Sequence, residues 1–261
     1  ELESALDVQL FERRGNRLVL TDTGQHVYGY ANDIFALGRQ LQESLAAGRT
    51  RRARLVVGIA DVVPKLVAQR LLEPALRSDD ALHLVCVEDR HERLLAELAL
   101  LQLDVVLSDT PVGADSNFRA HNHLLGESRV SLFAKPKVAQ RLRQNFPESL
   151  TGEPLLLPIE QTSLRRGLSR WLDKHGVQPR VRAEFQDSAL LTTMGQAGEG
   201  IFAAPSIIQE EVIRQHRVAV VAELDDVRER FYAITGERRI GNPAVRALTE
   251  RARAELFRGN A

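Results

Sequence analysis

The sequence predicts an α/β protein in which two strand–helix units follow an N-terminal region of different character. From residue 55 onward, short valine- and leucine-rich runs alternate with amphipathic segments, which is typical of parallel strands covered by helices. Before that point, an arginine-rich segment leads into one long amphipathic stretch. A chain of 261 residues is long enough to bury a substantial core.

Composition excludes few functions. Lys+Arg and Asp+Glu are equal at 35 each, so any affinity for nucleic acid must come from a local patch. The one cysteine, Cys86, lies in an apolar run and is expected to be a buried thiol. No apolar run is long enough to cross a membrane, so we expect a cytoplasmic protein without membrane partners. No cofactor motif is present.

Residues 10–24 form a basic ribbon. Arg13, Arg14 and Arg17 flank a glycine, and the apolar residues that follow lead to a turn at Thr21. Guanidinium groups on such a ribbon can lie along a phosphate backbone. A solvated hairpin is an equally reasonable interpretation of three arginines alone.

Residues 21 to about 48 predict one helix, capped by Thr21 or Thr23. Val27, Ile34 and Leu41 recur at heptad spacing and form a coiled-coil-like seam. The seam requires a partner, which is either a second copy of the chain or the chain's own following domain. Gly48 ends the helix, and an arginine-rich linker follows.

The two units that follow have short loops. In the first, the predicted strands are 55–60, 82–87 and 103–107, and the helices are 64–77 and 91–101. In the second, the predicted strands are 130–134, 155–159, 181–185, 201–204, 218–224 and 231–235, and the helices are 163–175 and 188–196. A terminal helix is expected from Pro243 to about 257. Extended crossings near 110–126 and near 236 suggest a periplasmic-binding-protein-like pair of lobes with a ligand cleft between them.

The segment 3–24, which contains Leu-Phe-Glu-Arg-Arg-Gly-Asn-Arg-Leu-Val-Leu-Thr-Asp-Thr-Gly, resembles LysR-type transcriptional regulators. The resemblance assigns 1–22 to the end of a winged helix-turn-helix, with the base-reading residues expected before Glu1. It assigns 23–48 to a linker and dimerisation helix, 53–124 with 237–261 to lobe I, and 125–236 to lobe II of an effector domain. It also implies DNA, RNA polymerase and a homodimer or homotetramer as partners, with Arg13, Arg14, Arg17 and Thr21 as DNA contacts.

Further segments resemble one branch of this family, which activates sodium/proton antiporter genes in response to Na⁺ or Li⁺. They are 57–65 (Val-Gly-Ile-Ala-Asp-Val-Val-Pro-Lys), 103–111, 126–131, 183–190 and 202–205. The resemblance therefore implies an activator with a cation effector. Composition and spacing do not themselves indicate sodium.

Carboxylates near the predicted cleft are candidates for such an effector, because hard cations take oxygen ligands. Asp61 and Asp109 follow strands of one sheet and form a weak Na⁺ candidate pair. The alternative is that these aspartates cap the next helix or form an ion pair, with Lys65 or Arg90 as the partner. The full candidate effector set is Asp61, Val62, Lys65, Asp109, Thr162, Ser163, Glu184 and Asp187, and Glu127 lies near the crossing.

Thr162 and Ser163 precede a helix, where free amides bind anions, so a small organic anion remains an alternative effector. Simple N-capping is at least as good an explanation. His121 and His123 lack a third ligand nearby, which disfavours a metal site. The other functions considered are a solute-binding module that does not touch DNA and an α/β enzyme. The enzyme ranks low, because no catalytic constellation stands out.

Overall fold

The computed structural model describes residues 2–15, 17–46, 54–78, 82–113 and 119–236, together with residues 245, 249 and 250. It begins with helix α1 (Leu2–Leu6), followed by an antiparallel hairpin of β1 (Phe11–Arg14) and β2 (Arg17–Leu20). Gly15 makes the hairpin turn with a φ of +65°. A Glu3 carboxylate oxygen accepts hydrogen bonds from the backbone N–H groups of Leu10 (2.6 Å) and Phe11 (3.0 Å), and so ties α1 to the hairpin.

Helix α2 (Asp22–Ala46) confirms the predicted long helix, and the expected stop at Gly48 and the arginine linker lie outside the described residues. Thr21 is the cap, because its hydroxyl oxygen accepts from the Gly24 N–H at 2.9 Å. Gly24 is required by close approach. A Cβ added there would lie 2.0 Å from the Leu10 carbonyl oxygen.

The first α/β unit consists of β3 (Arg54–Ala60), α3 (Lys65–Ser78), β4 (His83–Asp89), α4 (His91–Ala99) and β5 (Val105–Ser108). Strand β3 lies between β4 and β5 and is parallel to both, as predicted. The expectation of a buried Cys86 was wrong. Its thiol is exposed, because β4 is the edge strand of the sheet, where an apolar run is not enclosed on both faces.

Two long strands connect the units. Strand β6 (Ala120–Ala134) includes the end of the predicted crossing, and β10 (Ala219–Gly236) replaces two predicted late strands. The predicted break covers residues 225–230. A register shift between Leu224 and Arg228 accommodates exposed polar residues there without ending the strand. Strand β10 pairs antiparallel with β6 on one side and with β5 on the other. The six-stranded sheet is therefore mixed, in the order β4-β3-β5-β10-β6-β9.

The second unit surrounds the far ends of these strands. Helix α5 (Pro136–Leu142) is followed by β7 (Pro154–Pro158), α6 (Ser163–His175), β8 (Arg180–Phe185), α7 (Ser188–Ala197), β9 (Phe202–Pro205) and α8 (Gln209–His216). Helices α5 and α8 were not predicted, and they are only seven and eight residues long. Gly176 ends α6 in the left-handed conformation, as predicted.

Two hydrophobic clusters form the core. One lies in the first unit and continues to Phe202 and Leu191 of the second. The other surrounds Leu168 and Trp171, the buried side chains of α6. The predicted lobe boundary at 124/125 falls inside β6, and the terminal helix lies outside the described residues except at 245, 249 and 250. No helix among the described residues is long and apolar enough to cross a membrane.

Candidate functional site

A cavity of about 230 Å³ lies where the two units face each other. Four residues of the candidate effector set line it, namely Val62, Lys65, Asp109 and Thr162. The wall is mainly apolar, with side chains from both units. The cavity therefore matches the predicted cleft in position, although it includes only part of the predicted set.

Asp61 has a different hydrogen-bond partner from Asp109. Its carboxylate accepts a hydrogen bond from the Gln186 side-chain amide at 2.6 Å, which links the end of β3 to the loop after β8. The expected partners Lys65 and Arg90 do not take this role, and Lys65 pairs with Glu88 instead. Asp61 therefore acts in this structure as a polar contact between the units.

Asp109 makes a second contact between the units and is almost fully buried. One of its carboxylate oxygens accepts from the Ser163 hydroxyl at 2.6 Å and from the Ser163 backbone N–H at 3.3 Å. The other oxygen accepts from the Thr110 hydroxyl at 2.9 Å. A carboxylate of the first unit therefore occupies the start of α6, where a bound anion is most favoured.

A third contact lies on α3. An Arg70 N–H donates to the Ile207 carbonyl at 2.6 Å, and the same guanidinium pairs with Glu211 of α8. Because Arg70 belongs to the first unit and the other two residues to the second, this contact also joins the units. A ligand that changes the separation of the units must act against all of these bonds.

The remaining predicted polar residues have structural partners. Thr162 caps α6 by accepting from the Arg165 N–H at 3.1 Å, and Asp187 caps α7 by accepting from the Leu190 N–H at 2.7 Å. Glu184 pairs with Arg165 at 2.5 Å. Glu127 pairs outside the cavity with Arg228 and Arg230. Capping and ion pairing account for these positions without a ligand.

Glu229 is the residue that sequence reasoning missed. It lies on β10 with 2% of its surface exposed, lines the cavity, and has one carboxylate oxygen without a hydrogen-bond partner among the described residues. Burial, and secondly the charge of Asp109, raises the pKa of Glu229 to about 8. Strand alternation was the available signal, because Val227, Glu229 and Phe231 share the buried face while Arg228 and Arg230 are exposed.

No group of three or more His, Cys, Asp or Glu side chains within the described ranges is arranged to hold a metal ion. His121 and His123 lie side by side, with ring centroids 6.3 Å apart. His123 also contacts the Thr235 hydroxyl at 3.2 Å. A sodium site at Asp61 and Asp109 would therefore need hydroxyl, carbonyl or water oxygens to complete it.

The basic ribbon is the hairpin β1–β2. Arg13 is exposed on it, and the side chains of Arg14 and Arg17 lie outside the described set. Thr21 uses its hydroxyl within the chain, donating to the Gln9 carbonyl at 2.7 Å as well as capping α2. Its role as a DNA contact stays a prediction, and its one hydroxyl donor is already used within the chain.

The heptad seam of α2 is at least partly exposed to solvent in the single chain. Ile34 is 68% exposed and Val27 is half-buried, while the side chain of Leu41 lies outside the described set. Tyr28, Tyr30 and Phe35 are also exposed on α2. The described part of α2 therefore presents an apolar surface that the other described residues do not cover.

The family profile described as the LysR substrate binding domain matches residues 48–257, which is most of the chain. The chain belongs to the LysR family of transcriptional regulators. Its mixed sheet and two units are the periplasmic-binding-protein-like regulatory fold of that family. The relatives are regulators, so the chain is a regulator and not an enzyme.

Relatives of the LysR family match nearly the full length of this chain. The transcriptional activator protein NhaR of Escherichia coli (strain K12) is 29% identical over 256 residues, covering 98% of this chain and 84% of the relative. A full-length cysteine-to-aspartate variant of OxyR from Pseudomonas aeruginosa superposes with a TM-score of 0.66 at 19% identity, covering 97% and 82%. The LysR family regulator CbnR superposes with a TM-score of 0.60 at 19% identity, and the match covers 97% of this chain and 87% of CbnR. These two structures support the fold alone.

Proposed function

We propose that this LysR-family regulator is an activator that responds to Na⁺ or Li⁺ and controls sodium/proton antiporter genes in the cytoplasm. The proposal is supported by the motifs shared with the sodium-responsive branch and by the similarity to NhaR along 98% of the chain. It assigns residues 1–22 to the wing, 23–48 to the linker helix, 53–124 with 237–261 to lobe I, and 125–236 to lobe II.

The observation that carries the cation proposal is the contact between Asp109 and Ser163. At the start of α6, the position that favours an anion is filled by the chain's own carboxylate. An organic anion would have to displace this buried aspartate. A cation would instead be attracted to Asp109, which makes the organic-anion alternative the weaker one.

A cation can act as a switch only through a difference in its affinity for two arrangements. Asp61 and Asp109 each accept a hydrogen bond from the opposite unit. A cation that takes one of these carboxylates as a ligand competes with Gln186 or Ser163, and so alters the balance between arrangements of the units. Hydroxyl and carbonyl oxygens of the same loops would complete its coordination.

DNA binding and assembly complete the proposal. Arg13, Arg14 and Arg17 contact phosphates from the hairpin, while α2 pairs with a second copy through Val27, Ile34 and Leu41 in a homodimer or homotetramer. RNA polymerase is the partner in activation. The exposed apolar surface of α2 supports the pairing, and the exposed Arg13 supports the phosphate contact. Both features disfavour a solute-binding module that never touches DNA.

The cation proposal is tested by thermal unfolding of the whole chain in NaCl, LiCl and KCl at equal ionic strength. We expect Na⁺ and Li⁺, but not K⁺, to shift the midpoint, and we expect Asp109→Asn to remove the difference. Glu153→Gln, which removes a surface partner of Arg141, serves as the control and should retain it. Equal shifts in all three salts would overturn the sodium proposal and leave the family assignment intact.

The DNA proposal is tested on the full-length protein by the salt dependence of operator binding. Replacing Arg13, Arg14 or Arg17 by glutamine should flatten the slope by about one unit for each phosphate that the variant no longer neutralises. Replacing Arg182, an ion-paired surface arginine of β8, by glutamine should leave the salt dependence of operator binding unchanged. An unaltered slope in all three hairpin variants would contradict the wing assignment.

A further inference from the structure

Four basic residues are grouped around the start of β10, at one end of the second unit. This basic cluster consists of Lys135, Lys137, Arg143 and Arg217. Ala134 of β6 pairs with Ala219 of β10, so the lysines that follow β6 and the arginine that precedes β10 leave the sheet side by side. Arg143 reaches the same place, because its Nε–H donates to the Val220 carbonyl at 2.8 Å. The fold therefore brings together positive charges that are far apart in the sequence.

The charge of the basic cluster is not balanced by ion pairs. The nearby acids Glu153 and Glu199 pair with Arg141 and Arg182, which lie outside the cluster. Within the part of the chain that the structure describes, no carboxylate pairs with a member of the cluster. Glu148 is the one other acid between 135 and 153. This surface therefore has an excess of positive charge, which attracts anions.

Unpaired surface charges are often only solvated, but the backbone at Arg217 argues against that here. Arg217 ends α8 in the left-handed conformation, with a φ of +50°. Helices α6 and α7 end in the same conformation with Gly176 and Gly198, the residue type that adopts it most readily. An arginine at this position makes the fold less stable than a glycine would. The strained position therefore indicates a use for the arginine side chain.

Arg143 is held in position before any ligand binds. Its Nε–H and an Nη–H both donate to the Val220 carbonyl oxygen, which fixes the guanidinium group against the backbone. Its other N–H groups make no hydrogen bond within the described ranges and remain available to a second acceptor. An ordered guanidinium loses less conformational entropy when it binds an anion. Arg143 is therefore suited to phosphate, whose oxygens match the fork of guanidinium donors.

The surroundings of the basic cluster favour phosphate groups over a protein partner. Protein interfaces have an apolar or aromatic centre and contain few lysines. Among the described residues, no large apolar side chain is exposed between 125 and 180 or between 214 and 236. Interfaces with nucleic acid are more polar and much more positively charged. A surface of lysine and arginine without exposed apolar neighbours therefore fits a phosphodiester backbone.

We infer that the basic cluster is a second DNA-binding surface, which contacts phosphates of the duplex in addition to those held by the hairpin β1–β2. The inference rests on the proposed DNA binding and assigns a further contact to the same partner. Arg143 and Arg217 donate hydrogen bonds to phosphate oxygens, and the two lysines neutralise neighbouring phosphates. Such contacts position the protein and add affinity through counterion release, but they do not read base sequence.

The test measures binding of the full-length protein to a fluorescent duplex of mixed sequence without an operator, over a series of KCl concentrations. KCl avoids the ions of the proposed effector. We expect Arg217→Gly to flatten the salt dependence by about one unit, because one phosphate contact is lost. The same substitution should raise the thermal unfolding midpoint, because glycine relieves the left-handed backbone. Weaker DNA binding by a more stable protein is a result that loss of structure cannot produce.

Further variants and a second polyanion locate the contact. Arg143→Gln should also flatten the salt dependence by about one unit. Arg77→Gln is the matched control and should leave it unchanged, since Arg77 is an exposed arginine of the first unit that pairs with Glu73. Poly-L-glutamate of equal total charge is the competitor. We expect it to displace the duplex poorly, because DNA carries the denser charge.

An unchanged salt dependence in both Arg217→Gly and Arg143→Gln overturns the inference, as does the absence of any binding to the duplex. Equal displacement by poly-L-glutamate also overturns it and would assign the cluster to an acidic protein. Arg13→Gln is measured in parallel. A change in this hairpin variant alone supports the wing and removes the second surface. A change in the cluster variants alone contradicts the wing and supports the second surface, so the two proposals fail separately.

Discussion

The N-terminal region and the α/β units differ in how far they bury their apolar side chains. Nine of the large apolar residues described between 2 and 35 are exposed, whereas Leu10 is buried: the exposed set is Leu2, Leu6, Val8, Phe11, Leu18, Tyr28, Tyr30, Ile34 and Phe35. From residue 54 to 236 the chain instead encloses two continuous hydrophobic clusters. The same kinds of side chain are thus enclosed in one region and left at the surface in the other.

This difference indicates where each region obtains its stability. The α/β units bury their own surface, so their folding depends on internal packing. The hairpin and α2 leave apolar surface for another molecule, because a helix of mixed polarity gains most of its stability from packing of one face. Substitutions that add or remove one group should therefore have large effects in the units and small effects on α2.

The largest effect is expected from adding one methyl group to Gly195 of α7. A Cβ there would lie 2.1 Å from the ring of Phe202, which is fully buried and stacked against Phe133. We expect Gly195→Ala to lower the free energy of unfolding by about 3 kcal/mol in urea titrations followed by circular dichroism.

Gly29→Ala on α2 is the matched control for this substitution. An added Cβ at Gly29 meets nothing within 4 Å, so the change should stabilise the helix slightly, by up to about 1 kcal/mol. If both glycines tolerated alanine equally, the contrast between a closed and an open region would be wrong.

The next effect concerns pH and the buried carboxyl of Glu229. Its pKa in the folded chain is about 8, above the ordinary 4.5, so its contribution to stability is complete below pH 4.5 and is lost as the pH rises to 8. Relative to Glu229→Gln, the unaltered chain should lose about 2 kcal/mol between pH 6 and pH 8. The measurement is urea unfolding of both proteins at the two pH values, without ligand. If the free energy of unfolding changed equally in the two proteins between pH 6 and pH 8, Glu229 would have to be ionised in the folded chain over that whole range.

A smaller and more local effect is expected at Gly24, where α2 meets the hairpin. An alanine Cβ would lie 2.0 Å from the Leu10 carbonyl oxygen, a backbone atom that must move to accommodate it. We expect Gly24→Ala to cost about 1–2 kcal/mol in the N-terminal region alone. Hydrogen exchange should rise in residues 2–24 and stay unchanged in β3 to β5. Equal loss of protection in both regions would mean that they unfold as one body.

The smallest effect on folding is expected on the exposed seam of α2. Ile34→Ser should change the unfolding free energy of the α/β units by less than about 0.5 kcal/mol, because the side chain is 68% exposed. The same substitution should shift the sedimentation profile toward the monomer. Gln25→Ala, an exposed polar position on the same helix, should alter neither property. A dimer that persisted in the Ile34 variant would mean that α2 is not its main contact.

Local patterns in the sequence predicted the elements well and the contacts between them poorly. Heptad spacing predicted α2 and short apolar runs predicted the parallel strands, because each is a property of neighbouring residues. The two late strands were predicted separately, at 218–224 and 231–235, whereas pairing with β6 continues β10 through the residues between them. Cys86 was misplaced for a similar reason, since the order of strands decides which one forms an edge.

The candidate site shows the same limit. The sequence identified Asp61, Asp109, Thr162 and Ser163 as polar residues at the ends of strands and helices, and these do lie at the junction of the two units. It did not indicate that Asp109 bonds to Ser163, because that pairing joins residues 54 positions apart. Long-range partners depend on how the units pack, which no local pattern encodes.

The amino-acid sequence by itself determined the family, the α/β class, the basic hairpin and the heptad helix, since each rests on short motifs or periodicity. Tertiary structure alone decided which acids cap helices, which are ion-paired and which has an unsatisfied oxygen. Glu229 lies between two arginines in the sequence, as a surface residue would. Strand pairing turns it toward the cavity and the arginines toward solvent, and loss of water around its carboxyl then sets its chemistry.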